Sequence, residues 1–196
     1  MSRLSGQRFQ KDLFMTDLSH AKRSPSGKTV LLFLALTIAI HSYMFLVNLP
    51  QLLAQSGGVL LFDLVPTGYD LAYAEAFLTA LGEEGRCFYF SRQWALDMVY
   101  PAVYGLGGAV LWRWLIGKHG NPTNWMSRLV LLPVLSAAVD YIENTLIGVM
   151  LLRFPDVSGV VVRWASFATT CKYLLLMLFL LSVLWLAVTL IRQHRA

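Results

Sequence analysis

Apolar residues fall into four long blocks along this chain. They read TVLLFLALTIAIHSYMFLVNLPQLL over 29–53 and LDMVYPAVYGLGGAVLWRWLIG over 96–117. The other two are SRLVLLPVLSAAVDYIENTLIGVMLL over 127–152 and VVVRWASFATTCKYLLLMLFLLSVLWLAVTLI over 160–191. About 20 apolar residues in a helix cover the hydrocarbon of a bilayer, so each block predicts a membrane-spanning helix. Asp97, Pro101 and the glycines around Gly105 dilute the second block. The fourth exceeds what a bilayer requires, so its first turns are expected to project beyond the hydrocarbon.

Residues 54–95 form the one long connection. They open on the breaker QSGG and continue into YDLAYAEAFLTALGEEGRCFYF. Leu71, Ala74, Phe77, Leu78 and Leu81 recur at helical spacing, with Asp70, Glu75, Glu83 and Glu84 among them. The spacing predicts a short amphipathic helix that caps the bundle at its outer interface and ends at Gly82 or Gly85. The expected fold is therefore an all-α integral membrane protein, a four-transmembrane-helix bundle with one outer helix between spans one and two.

Composition agrees with that class. The chain has 196 residues, 57% of them hydrophobic and 14% charged, against roughly 25% charged in a soluble domain. Residues 1–28 read as a polar, basic tail, and 29–196 as a single membrane domain. That tail is polar for too long to be a signal peptide, so the block at 29–53 reads as a retained span. The net charge of +5 carries no sign of nucleic-acid binding. Its basic residues gather at the ends of apolar blocks rather than on one stripe. Arg3, Arg8, Lys11, Lys22, Arg23 and Lys28 precede span one. Arg113, Lys118 and Arg128 flank the loop between spans two and three, and Arg192 and Arg195 follow span four. The other side holds only Arg86, Arg92, Arg153 and Arg163. The positive-inside rule then puts both termini in the cytoplasm, in a plasma or bacterial inner membrane. Cys87 and Cys171 are too few and too far apart for a disulfide framework or a zinc site.

Depth counting gives the polar residues a pattern. At about 1.5 Å per residue, Asp140 and Glu143 of span three lie beyond the midplane, in the outer half. Asp97, Tyr100 and Tyr104 of span two, His41 and Asn48 of span one, and Lys172 of span four share that half. The inner half is nearly all Leu, Val, Ile, Phe and Trp. Asp140, Glu143, Asn144 and Ile147 follow i, i+3, i+4, i+7 and so share one helix face. Asp97, Tyr100, Pro101, Tyr104 and Gly108 make a similar stripe on span two. Gly105 and Gly108 would let a neighbouring helix approach closely.

Two carboxylates one turn apart in oil need a cation, and Lys172 is the nearest candidate, with Arg86 reaching in from the rim. The expected site is an Asp/Glu–Lys network of Asp97, Asp140, Glu143 and Lys172, rimmed by Tyr100, Tyr104, Tyr141, Asn144 and Arg86. Three functions are open. An outer-leaflet pocket would bind or act on a lipid or other amphiphile, with Asp140, Glu143 and His41 as candidate proton carriers. The chain would otherwise be an assembly subunit whose polar network only joins helices, or a dimeric proton- or cation-coupled transporter. The apolar inner half opposes the transporter, since it offers ions no route. No nucleophile motif and no metal-ligand spacing is present, so neither a cofactor nor a metal is expected. The expected partners are membrane lipid and a second copy or a larger membrane complex.

Overall fold

A computed structural model describes residues 24–119 and 122–195. Most of the basic tail, residues 1–23, lies outside the described residues. Every regular element among the described residues is helical. Helix α1 (Gly27–Gln55) begins at Ser26, whose Oγ accepts from the Thr29 amide at 3.2 Å. Pro50 offers no amide hydrogen and would crowd the turn before it. A wider π-helical turn over Met44–Asn48 precedes it and turns Asn48 into the interior.

Helix α2 (Leu71–Phe88) is capped by Asp70, which accepts from the Tyr73 amide at 2.8 Å. It buries Ala74, Phe77, Leu78 and Leu81, one apolar face of the expected amphipathic helix. Gly82, at φ 64°, breaks it as the sequence suggests, but helix resumes at once and reaches Phe88. A π-helical turn at Tyr89–Gln93 and a short helix at Trp94–Asp97 carry the chain to α3 (Tyr100–Ile116). Pro101 sits in the first turn of α3, where its missing donor leaves no bond unmade. A single turn, Asn124–Arg128, leads into α4 (Leu131–Arg153), and α5 (Gly159–Arg195) completes the chain.

Among the described residues, three helices are long and apolar enough to cross a membrane: Gly27–Gln55, Asn124–Arg153 and Gly159–Gln193. Helix α3, at 17 residues, is shorter. The helices pack in series, α1 on α3, α3 on α4 and α4 on α5. Leu34, Leu36, Ile38, Leu180, Leu181 and Leu184 are exposed, as an apolar solvent for those faces requires.

Small residues make the α3–α4 approach. A Cβ on Gly105 would lie 2.6 Å from the Ala137 Cβ, and one on Gly108 the same distance from the Pro133 Cβ. Gly108→Ala is therefore expected to cost about 1–3 kcal/mol through overpacking. Thermal unfolding in detergent measures it, and an unchanged midpoint would show that the contact yields.

Two apolar clusters lie along the bundle. One, around Phe62, Phe77, Tyr89, Ile147 and Val162, sits at the end next to the 54–97 connection, here the cap end. The other, around Trp112, Met126, Phe179 and Leu186, fills the opposite end. On α4 and α5 the buried polar residues fall between them, which is where the chemistry lies.

Candidate functional site

Lys172 on α5 is the hub. Its Nζ donates to Asp63 Oδ1 at 2.9 Å and to Asp140 Oδ1 at 3.1 Å, and it lies 2.6 Å from Glu143 Oε2. One ammonium group thus meets three carboxylates, two from α4 and one from the 61–64 segment. Glu143 is wholly enclosed, and its Oε1 accepts from Thr169 at 2.7 Å. Asp140 accepts from the Tyr104 hydroxyl at 3.0 Å and from Asn144 Nδ2 at 3.2 Å. One oxygen from each of Asp63, Asp140 and Glu143 lies within 4.8 Å of the others, a spacing a metal ion could use. The Lys172 ammonium contacts all three and already supplies the positive charge there.

A second branch reaches α1. Asn144 Nδ2 also donates to the Asp97 carbonyl at 2.8 Å. The Asp97 carboxylate accepts from Gln93 Nε2 at 3.1 and 3.3 Å, and Gln93 Oε1 accepts from Asn48 Nδ2 at 3.1 Å. Trp94 holds this connection to α4 through its indole nitrogen, which donates to the Asn144 carbonyl at 2.7 Å.

The segment carrying Asp63 is pinned to α5 by its backbone. The Tyr173 hydroxyl donates to the Asp63 carbonyl at 2.6 Å, and Ser166 Oγ accepts from the Tyr69 amide at 2.8 Å. A Cβ on Gly68, at φ 88°, would lie 2.7 Å from Ser166 Oγ, so only glycine fits there. Burial pushes the Tyr69 hydroxyl well above the ordinary tyrosine range, and the nearby Glu143 adds to it.

Beside the network lies a cavity of about 440 Å³, walled by α1, α3 and α5 with the 61–64 segment over its head. Asp63, Asp97, Asp140, Lys172, Gln93 and Tyr104 line the cap end. Val30, Phe33, Leu34, Leu111 and Phe179 line the rest. Helices α1 and α5 are not among the pairs that pack extensively, and Leu34 and Leu180, on facing walls, are both exposed. The cavity therefore opens sideways between them. No protein-family model, curated protein or solved structure matches the chain.

The structure gathers Asp97, Tyr104, Asp140, Glu143, Asn144 and Lys172 of the expected site. Tyr100 and His41 line the cavity and meet each other, hydroxyl to Nδ1 at 3.5 Å, rather than joining the network. Two residues are placed elsewhere. Arg86 stacks over the Phe154 ring at 4.2 Å and donates to the Leu78 carbonyl at 2.8 Å. Tyr141, one residue after Asp140, is half-buried, and its backbone carbonyl accepts from Thr145 Oγ1 at 2.7 Å. Cys87 and Cys171 are both free. Sequence reasoning missed Asp63, Gln93 and Thr169. The one available signal for Asp63 was an acid alone in the apolar run VLLFDLV.

Proposed function

We propose that this chain is a small four-span membrane protein that takes a lipid or other amphiphile into its cavity, head group at the acid-rich cluster. In this reading α3 is the second span, both termini are cytoplasmic, α2 caps the outer face and the cluster lies in the outer leaflet. The observation that carries it is the division of the cavity: polar at the cap end, apolar along the remainder, and open sideways to the membrane. Its volume falls in the range of small-molecule sites, about 300–1,000 Å³. The lateral opening matches a ligand that arrives from lipid. The apolar remainder offers no polar path across the bundle and so favours binding over ion transport.

A second reading has one observation behind it. Glu143 is fully buried, is held by Thr169 and Lys172, and does not line this cavity. On that reading the network only joins helices and the chain serves as an assembly subunit. Extraction of bound amphiphile from protein purified in a mild neutral detergent, read by mass spectrometry, separates the two. Asp140→Asn is expected to lower the bound amphiphile several-fold, because Asp140 lines the cavity. Glu143→Gln is expected to leave it unchanged. If neither variant alters the bound amphiphile and both lose only stability, the assembly reading stands.

A further inference from the structure

We infer that the head group is a positively charged nitrogen, as in a single-chain alkylamine, seated against Asp97. The inference rests on the cavity being an amphiphile site and adds the chemical class of its ligand. Four acids, Asp63, Asp97, Asp140 and Glu143, belong to the site and only one lysine does, and that lysine meets the first, third and fourth of them. That lysine is spent: its ammonium lies within 3.1 Å of three of the acids, leaving no hydrogen aimed at a ligand. Among the described residues lining the cavity, Lys172 is also the only lysine or arginine. An anionic head would therefore meet carboxylates and find no free cation.

Asp97 is the acid left over. It is 6% exposed, lines the cavity, and receives only the neutral amide of Gln93. A buried carboxylate without a cation is a costly group, and a ligand cation is what would compensate it. Tyr100 and Tyr104 follow it in the chain, one turn apart on α3, their rings 5.2 Å apart, and both line the cavity. Such rings favour a cation over a neutral head through their negative faces. A phosphate-bearing zwitterion fits less well, since the one lysine among the described lining residues is already held by three carboxylates.

The test uses the full chain in neutral detergent, with radiolabelled hexadecanol as the bound probe. Hexadecylamine, hexadecanol and palmitate, which share one chain length, are compared as displacers. Hexadecylamine is expected to act at roughly tenfold lower concentration than hexadecanol or below, about 1.4 kcal/mol, with palmitate the weakest. Asp97→Asn is expected to bring the amine to the level of the alcohol. Equal displacement by amine and alcohol, a preference for palmitate, or an amine preference that survives in Asp97→Asn would overturn the inference while leaving the amphiphile reading intact. Absence of saturable hexadecanol and hexadecylamine binding would overturn both. Should Asp97→Asn not fold, the three-way comparison on the wild-type protein decides alone.

Discussion

Replacing Lys172 with methionine is expected to remove about 3–5 kcal/mol of stability and most of the folded yield. The two side chains are similar in length, so packing changes little. What changes is that Asp63, Asp140 and Glu143 lose the one charge that all three face. A buried pair broken from one side leaves the other charge uncompensated, and here three are left. The carboxylates are not symmetric with it. Changing any one of them to its amide leaves Lys172 with two acids, so Glu143→Gln and Asp140→Asn should each shift the midpoint far less. Combining Lys172→Met with Glu143→Gln and Asp140→Asn should recover part of the loss, a non-additivity expected of groups in direct contact. Size-exclusion profiles and thermal midpoints of the series measure this. A Lys172→Met protein as stable as wild type would mean that the cluster is held by its hydrogen bonds alone.

That asymmetry was only half visible in the chain. The i, i+3, i+4, i+7 spacing of Asp140, Glu143, Asn144 and Ile147 put four residues on one face, and all four are buried. The same rule argues against Tyr141, since consecutive helical residues are turned about 100° apart. Lys172 was legible because a lysine in an apolar span needs a partner. Asp63 was not, because its contact with Lys172 joins positions 109 apart. Its position depends on local details, the Ser166 and Tyr173 hydrogen bonds and the left-handed Gly68, none of which has a period. Arg86 failed for a related reason. Positive charge near a membrane edge suggests a partner acid, yet a guanidinium also stacks well on a ring, and Phe154 supplies one. The long apolar helices were readable from hydropathy. The break before α3 at Met98–Val99 was not, because Pro101 is equally at home inside a kinked span and in the first turn of a new helix.

The cavity itself yields the sharpest expected loss. Thr37→Trp and Leu176→Trp, on the facing walls of α1 and α5, are each expected to cut the bound amphiphile to about a tenth of wild type or less, and together to abolish it. Both positions border the cavity away from the carboxylates. The Thr37 hydroxyl bonds only the Phe33 carbonyl of its own helix, at 2.8 Å, so no contact between helices is lost on substitution. Leu176 lies one turn from Lys172 toward the apolar end. A large apolar ring at either place fills space that an alkyl chain would otherwise occupy. Filling a cavity usually leaves stability unchanged or raises it, by roughly 0.5–2 kcal/mol in favourable cases. Binding and stability should therefore separate: bound amphiphile falls, while the midpoint of ligand-stripped protein holds or rises. Leu135→Trp, at an exposed position on α4 that does not line the cavity, is the matched control and should retain its amphiphile. If the cavity variants keep the ligand as the control does, the amphiphile lies on the outer surface of the helices rather than between α1 and α5. If all three lose it with a falling midpoint, the loss reports disturbed packing, and the cavity reading fails.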